Sequence, residues 1–346
     1  MKIGIDISQI VYQTGVSRYT AELVENLLKI DQKNEYVLWA GSLRQRSIIK
    51  AFVAKLPRRV KLVLTPVSPR LADAVYNRFN LPLPVAVDVF HASDWAIPSI
   101  NCPVVTTIHD LSFIKYPADH VPSVIAVHQR HLQRAKTKAT IIIAVSQTTK
   151  KDLLVQGFPP GKIKVIYEAA GDIFKPITSK RQPFILSVGT QEPRKNIARL
   201  IEAWQPFSKN YELVIAGKFG WGEKIKPVDG VKLVGFVPDE ELVKLYSQAQ
   251  VFVYPSLDEG FGLPVLEAMA CGCPVVTSNI SSMPEIGGKA AIYSDPFSAR
   301  SITAGIKAAL TQKVKLRQLG LARAKSFSWE KTAKETLKVY QEAVKC

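Results

Sequence analysis

Long apolar runs are missing from this sequence, and so is a secretory leader. The longest apolar stretch, ATIIIAV at 139–145, falls far short of the roughly 20 residues that a membrane-crossing helix needs. The opening MKIGIDI enters a strand pattern directly, without the basic segment, apolar stretch and cleavage site of a signal peptide. We therefore expect a cytoplasmic protein without a transmembrane helix.

Cysteine is also scarce, which argues against a disulfide-stapled fold and for reduced thiols. The sequence has four cysteines: Cys102, Cys271, Cys273 and Cys346. The pair Cys271 and Cys273 could form half of a metal site, but no second Cys or His pair of suitable spacing follows it. The sequence therefore predicts no bound metal ion.

Negative charge is in short supply: 46 Lys and Arg residues face 29 Asp and Glu residues, a formal net charge of +17. Such a surface favours an anionic partner, and the charge alone leaves open nucleic acid, an acidic membrane or a phosphorylated ligand. The excess is concentrated at 41–80, here called the basic region, where nine basic residues face the single acid Asp73. Its basic residues are Arg44, Arg46, Lys50, Lys55, Arg58, Arg59, Lys61, Arg70 and Arg78.

Length and apolar patterning predict two domains of similar architecture. A chain of 346 residues exceeds what one core usually supports, and 47% hydrophobic with 22% charged residues is a globular composition. Short β-branched runs alternate with helical periods such as 16–30, which is typical of parallel β-α-β units. The predicted strands are 2–7, 35–40, 60–64, 87–91, 104–107 and 140–145, then, after a break at 169–183, 184–188, 212–216, 231–234, 251–254 and 274–277.

This pattern predicts an α/β protein with two Rossmann-like, doubly wound parallel-sheet domains, at 1–172 and 183–327. Ligands of such open sheets bind outside the carboxyl ends of the strands, so we expect an active site in a cleft that the two domains face. The last segment, 328–346, is helical in period, and its pattern alone does not place it.

The most informative stretch is YPSLDEGFGLPVLEAMACGCPVVTS at 254–278. A strand is followed by a loop with Gly260 and Gly262 and then by an apolar helix, and backbone amides at such a helix start suit a phosphate group. Either glycine by itself would indicate only a tight turn. Glu259 precedes the loop and Glu267 is expected in about the first helical turn, so that one carboxylate can bind ribose hydroxyls and the other sugar hydroxyls.

Together these residues form a Glu-x7-Glu pattern around GFG-x-P, which closely resembles the motif of family 4 of the retaining glycosyltransferases. The segment VGTQEPRKNIARLIEAW at 188–204 is similar to the part of that family that presents Arg194 and Lys195 to the donor diphosphate. Cations are disfavoured at the start of a helix, and an anionic ligand would remove that conflict.

Two segments of the first half resemble the same family. VTTIHDLSF at 105–113 contains His109, which the resemblance places close to the donor sugar, and Asp110 is expected to brace it. QTGVSRYTAELVENLL at 13–28 is similar to the family's first loop and helix, where Gly15 lets the backbone approach the diphosphate and the acceptor. The resemblance therefore covers both predicted domains.

The resemblance implies a GT-B fold, with an acceptor-side first domain, a second domain that binds the nucleotide sugar, and a final helix that crosses back to the first domain. It implies retaining, metal-independent hexosyl transfer by front-face attack, in which fixed positive charge stabilises the departing diphosphate. Glu259 would hold sugar hydroxyls and Glu267 the ribose. The expected catalytic residues are His109, Glu259, Arg194 and Lys195, and the expected donor contacts are Gly15, Arg194, Lys195, Glu259, Gly260, Phe261, Gly262, Leu263 and Glu267. No cofactor besides the sugar donor is expected.

The first loop and the PRKN segment resemble mannosyltransferases of polysaccharide synthesis, which makes GDP-mannose the leading expectation for the donor and a glycan or lipid-linked molecule the expected acceptor. A phosphorylase or sucrose-synthase-type enzyme on the same fold stays open as an alternative. A nucleic-acid binder would explain the charge, but the sequence lacks any motif of the known readers, so no nucleic-acid partner is expected. The basic region either holds the protein at the anionic inner face of a membrane or is simply solvated.

Overall fold

The structure is a computed structural model, and it describes residues 1–12, 14–42, 44–58, 60–66, 71, 74–75, 79, 81–83 and 85–346. The chain forms two compact units. Unit 1 comprises Met1–Glu168 and Trp329–Cys346, and unit 2 comprises Ala169–Ser328. Four members of the basic region, Arg59, Arg70, Asp73 and Arg78, lie outside the described residues.

Unit 1 is built on a parallel sheet. Its strands are β1 (Lys2–Asp6), β2 (Glu35–Gly41), β3 (Lys61–Thr65), β4 (Val89–Ala92), β5 (Val104–Ile108), β6 (Ile141–Ala144) and β7 (Ile163–Val165). Within the described ranges these seven strands pair in parallel in the order β3-β2-β1-β4-β5-β6-β7. The helices up to the end of the sheet are α1 (Gly15–Ile30), α2 (Arg46–Ala54), α3 (Ser112–Lys115), α4 (Pro122–Lys138) and α5 (Gln147–Val155).

Unit 2 repeats this architecture. Its strands are β8 (Phe184–Val188), β9 (Glu212–Ala216), β10 (Val231–Gly235), β11 (Val251–Tyr254), β12 (Val275–Ser278) and β13 (Ala291–Ser294). They form a six-stranded parallel sheet in the order β10-β9-β8-β11-β12-β13. The helices are α6 (Ile197–Trp204), α7 (Asp239–Gln248), α8 (Leu263–Ala270), α9 (Met283–Gly287), α10 (Ala299–Thr311) and α11 (Lys313–Ala324).

Both sheets reverse their strand order once, between β1 and β4 in unit 1 and between β8 and β11 in unit 2. This order is the doubly wound topology, whose reversal point opens a crevice at the carboxyl ends of the two central strands. The prediction of two Rossmann-like parallel-sheet domains is confirmed.

The strand sequences explain why these sheets form. A parallel strand covered on both faces reads as an almost continuous apolar run, and β11 (VFVY) is buried at every position. Helix α6 buries one stripe of residues, which includes Leu200 and the fully buried Trp204, against the sheet of unit 2. Trp39 on β2 and Phe90 on β4 occupy the corresponding core of unit 1. The apolar period of the sequence therefore sets which face of each element enters the core.

The last helix, α12 (Trp329–Ala343), belongs to unit 1 and packs on α1. The rings of Tyr19 and Trp329 meet edge to face with their centroids 5.8 Å apart. The Tyr340 hydroxyl lies 2.6 Å from Nδ1 of His91, on β4. In the described part of the chain, no helix combines the length and apolar character needed to cross a membrane.

Candidate active site

The loops that follow β8 and β11 meet at the reversal point of the sheet in unit 2. Asn196 donates a hydrogen bond from Nδ2 to the Pro255 carbonyl at 3.1 Å, and the Leu257 amide donates to the Arg194 carbonyl at 2.9 Å. These bonds tie the Pro193–Lys195 turn to the loop that begins after Tyr254. The two segments that carry the family resemblance in this half of the chain are thus held together by hydrogen bonds to backbone carbonyls.

Glycine is needed where β8 and β9 end. Gly189 and Gly217 have φ values of 150° and 148°, and a Cβ atom on Gly217 would lie 1.9 Å from the Gly189 carbonyl oxygen. No side chain can occupy that space, so the backbones approach closely only because residue 217 is glycine. A Cβ on Gly189 would in turn touch the stem of Lys195 at 3.5 Å. The stem of Lys195 therefore lies beside the residue that follows β8.

The carboxylate of Glu259 is the centre of a buried polar cluster. Its Oε1 accepts hydrogen bonds from Lys195 Nζ at 2.5 Å, from the Tyr254 hydroxyl at 2.8 Å and from Ser256 Oγ at 2.6 Å. Its Oε2 lies 3.2 Å from the guanidinium of Arg194. The side chains of Glu259, Arg194 and Lys195 are only 10–11% exposed. Three residues that were predicted to bind the donor therefore contact one another.

Electrostatics keep this cluster ionised. Burial alone would raise the pKa of Glu259, but the charges of Arg194 and Lys195 outweigh it and lower that pKa to about 2. Burial, followed by the charge of Glu259, raises the pKa of Tyr254 well above its usual range. At neutral pH the cluster is a carboxylate held by two cations and a neutral tyrosine.

The cations of this cluster are already matched by carboxylates. Besides Glu259, the Arg194 guanidinium pairs with Glu192 Oε1 at 2.7 Å, and it also donates to the Asp258 carbonyl. The sequence interpretation assigned to an outside anion the task of neutralising these cations near the start of α6. In the structure Glu192 and Glu259 supply two negative charges within the unit, so the cations do not depend on an outside anion, and binding of the donor diphosphate there stays a prediction.

The loop at 259–263 is shaped by Gly262, the residue that precedes α8. Its φ is 101°, in the region that favours glycine, and a Cβ there would lie 2.4 Å from Met283 Cε. The side chains of Phe261 and Leu263 are buried, at 4% and 7% exposure, and Gly260 is buried as well. The side chains of Phe261 and Leu263 therefore pack inside the unit.

Glu267 lies on α8. Because α8 begins at Leu263, Glu267 is its fifth residue, at the boundary between the first and second turns and close to the predicted first turn. Its carboxylate is only 1% exposed and accepts a hydrogen bond from the Tyr246 hydroxyl at 3.1 Å. The assignment of this residue to the ribose stays a prediction.

Unit 1 presents His109 at the carboxyl end of β5. Its Nδ1 lies 3.1 Å from Oε1 of Glu168, just beyond β7, and the Tyr19 ring packs edge-on against the imidazole at 4.7 Å. Asp110 was expected to brace His109, but Glu168 makes the hydrogen bond to the imidazole. Asp110 instead accepts hydrogen bonds from the Ser112 amide and hydroxyl at 2.9 and 2.7 Å. Asp110 still acts on His109 through its charge.

Gly15 is the first residue of α1, and a Cβ built on it would meet no atom within 4 Å. Packing in the described residues therefore does not require glycine at this position. The contact of Gly15 with the donor diphosphate and the acceptor stays a prediction.

Sequence reasoning missed Glu168, Glu192, Tyr254 and Ser256 as members of these clusters. Glu192, Tyr254 and Ser256 lie in segments that resemble the family, but their residue types alone carry no signal. Glu192 comes two positions before Arg194 and Tyr254 begins the stretch at 254–278, so proximity in the chain could have suggested both. Glu168 is 59 residues from His109, and only the order of β5, β6 and β7 brings them together.

Metal ligands form no group in the described part of the chain: no three His, Cys, Asp or Glu side chains there are placed to hold an ion. The four cysteines are free, and Cys271 and Cys273 are buried. The expectation that the reaction needs neither metal nor separate cofactor stays a prediction.

Comparison with solved structures defines the class of this fold. The sucrose-phosphate synthase of Thermosynechococcus elongatus matches with a TM-score of 0.73 at 18% identity, covering 99% of this chain and 98% of that one. The Anabaena protein HepE, solved in complex with UDP-glucose, also matches with a TM-score of 0.73 at 18% identity, over 99% and 100% of the two chains. The fold is the two-domain GT-B fold of glycosyltransferases.

The family follows from sequence. Residues 13–169 match the model of Glycosyltransferase Family 4, and residues 171–325 match that of Glycosyl transferases group 1. The O-antigen chain mannosyltransferase B of Escherichia coli is 31% identical over 99% of this chain and 100% of that relative. The chain belongs to glycosyltransferase family 4, as the resemblance implied, and it is a glycosyltransferase.

Proposed function

We propose that this chain transfers a mannosyl group from GDP-mannose to a glycan or lipid-linked acceptor, with retention of configuration and without a metal ion. The choice of sugar is supported by the relative named as an O-antigen chain mannosyltransferase, which aligns over almost the whole chain. The observation that carries the donor site is the contact of Arg194 and Lys195 with Glu259 at the reversal point of unit 2.

The donor diphosphate would bind beside this cationic pair. Negative charge grows on the diphosphate as the anomeric bond breaks, and preorganised cations in a buried site stabilise that charge without reorganising. Arg194 and Lys195 are held in position by Glu259, Tyr254 and Asp258 before any ligand arrives. Backbone groups at 260–263 would add contacts to the phosphates.

The reaction follows a front-face course. The bond from C1 of the sugar to the diphosphate breaks, the acceptor oxygen bonds to C1 on the same face, and the acceptor proton passes to the departing phosphate oxygen. The products are the mannosylated acceptor and GDP, so no enzymic nucleophile is consumed. Glu259 binds sugar hydroxyls, Glu267 the ribose, and His109 donates a hydrogen bond to the sugar near the reacting centre.

The basic region would keep the enzyme at an anionic lipid surface, where a lipid-linked acceptor is presented. The described cations differ in their suitability: Arg58 donates to the Asn34 carbonyl at 2.6 Å and stacks on the Tyr36 ring, which gives it a structural task. Lys50, Lys55 and Lys61 are exposed and are better candidates for contact with lipid.

The donor is tested with a thermal-shift panel of nucleotide sugars, because binding raises stability by about 2.7 kcal/mol at a ligand concentration of 100 Kd. We expect GDP-mannose to give the largest shift and to yield an α-linked mannosyl product by NMR. Lys195→Met should abolish transfer, whereas Lys232→Met, at an exposed ion pair with Glu212 in the same unit, should not. A larger shift and turnover with another nucleotide sugar would refute the donor. Turnover that requires inorganic phosphate would favour a phosphorylase.

A further inference from the structure

We propose that Glu168 is a positioning residue of the transfer reaction, which holds His109 in the ring orientation and the cationic form that act on the donor sugar. The inference rests on the proposed function. It concerns a carboxylate that neither the motifs nor the comparisons assign.

The geometry around His109 leaves its ring one orientation. Nδ1 is bonded to Glu168 at 3.1 Å, the Tyr19 ring packs edge-on at an interplanar angle of 84°, and the His109 carbonyl accepts a hydrogen bond from Thr149 Oγ1 at 3.0 Å. The Glu168 side chain is 4% exposed and the His109 side chain 16%. Nε2 has no hydrogen-bond partner within the described residues, and it is the nitrogen left for a substrate.

The last helix anchors the backbone next to this carboxylate. Thr332 on α12 donates from Oγ1 to the Tyr167 carbonyl at 2.6 Å, which secures the residue next to Glu168. Trp329 on the same helix packs on Tyr19, whose hydroxyl lies 2.9 Å from Thr107 Oγ1. Helix α12 thus stabilises both groups that contact the imidazole, although it is the most distant segment of unit 1 along the chain.

Charge around the ring favours the imidazolium. The titratable groups that face it come from α1, β4, the loop after β4, its own loop and the segment after β7: Tyr19, His91, Asp94, Asp110 and Glu168. Burial alone would lower the pKa of His109, but its hydrogen bond and ion pair with Glu168, helped by Asp94 and Asp110, raise it above the usual value. Burial, followed by the charge of His109, lowers the pKa of His91 to about 3, so that this neighbour is neutral. Of the two histidines, His109 is therefore the one whose cationic form its surroundings favour.

The test replaces Glu168 by Gln, which keeps an acceptor for Nδ1 and removes the charge. The His109 resonances are titrated by NMR, and kcat and KM for the donor are measured across pH. Loss of an opposite charge this close shifts a pKa by about one to three pH units, so His109 should titrate at least about one pH unit lower. The alkaline fall of kcat should move down by the same amount, and at pH values on that alkaline limb kcat should drop about tenfold or more while KM changes little.

Two further variants control for structure. Asp31→Asn also removes a buried carboxylate of unit 1, one that accepts hydrogen bonds from Tyr36 and Asn34, and it should leave the titration of His109 unchanged. Glu168→Asp retains the charge and should restore most of the pH profile. An unchanged His109 titration in Glu168→Gln, or an equal shift in Asp31→Asn, would overturn the role of Glu168 in an enzyme that still transfers. Absence of transfer by the wild type with every donor would instead overturn the proposed function, and this role with it.

Discussion

Removal of the negative charge of Glu259 tests whether Arg194 and Lys195 bind the donor diphosphate or only stabilise the fold. In Glu259→Gln the cations of Arg194 and Lys195 stay buried at 11% exposure without the carboxylate that they both contact. Breaking one side of a buried ion pair costs about 3–5 kcal/mol. The pKa of about 2, against an ordinary 4.5, independently corresponds to about 3 kcal/mol of stability.

The sign of the pH dependence follows from the direction of that pKa. Since the folded state lowers the pKa of Glu259, its contribution is fully present above about pH 4.5 and is lost as pH falls towards 2. The variant should therefore be destabilised most near neutral pH and approach the wild type in strong acid. For a unit of this size, about 3 kcal/mol lowers Tm by about 6–12 °C.

Scanning calorimetry of the full chain at pH 7 and at acidic pH measures this effect. Glu212→Gln is the matched control, because its ion pair with Lys232 in the same unit is 48–58% exposed and should contribute less than about 1 kcal/mol. Calorimetric titration with GDP supplies the second readout. The cations freed in Glu259→Gln should bind GDP more tightly than in the wild type, while transfer falls. Equal stability of the two variants at pH 7, or unchanged affinity for GDP, would refute this reasoning.

Three other predictions concern the loops, the metal and the basic region. Gly15→Ala should leave Tm unchanged, because its Cβ meets open space, and should raise the KM for the donor. Gly262→Ala should lower Tm, because residue 262 has a φ of 101° and a Cβ there would collide with the Met283 side chain. Equal effects of the two variants on Tm would contradict the geometry. Transfer should survive exhaustive chelation with EDTA, and a strict requirement for an added divalent ion would disprove the metal-free mechanism. Binding to phosphatidylglycerol vesicles should weaken with salt and drop when three exposed lysines become Glu, and equal binding to neutral vesicles would exclude the membrane role. The three are Lys50, Lys55 and Lys61.

The sequence predicted the strands well where they are covered on both faces. Strands β8, β9 and β11 begin and end where the apolar runs predicted, because burial on both sides selects continuous β-branched stretches. The two missed strands, β7 and β13, are the last strands of their sheets. They are short and only partly buried, so neither carries a long apolar run.

The sequence places residues of one segment relative to one another more closely than it places contacts between distant segments. Glu259, Gly262 and Glu267 share one segment, and because α8 begins at Leu263, Glu267 lies within one residue of the helical position predicted for it. The brace of His109 was assigned to its chain neighbour Asp110 and belongs to Glu168. Adjacent side chains in an extended segment point in different directions, so proximity in the chain did not bring Asp110 to the ring.

By itself, the sequence determined the alternation of strands and helices, the repeat of one architecture in both halves and the family motifs, because periodicity and motif spacing are local properties of the chain. Only the tertiary structure decided which charges meet: Glu259 with Lys195 across 64 residues, and His109 with Glu168 across 59. Those contacts depend on strand order and on the loops at the carboxyl ends of the sheets, which bring distant segments to one edge. The tertiary structure also decided that Glu192 and Glu259 of the same unit neutralise Arg194 and Lys195, since a buried charge without a partner costs too much free energy.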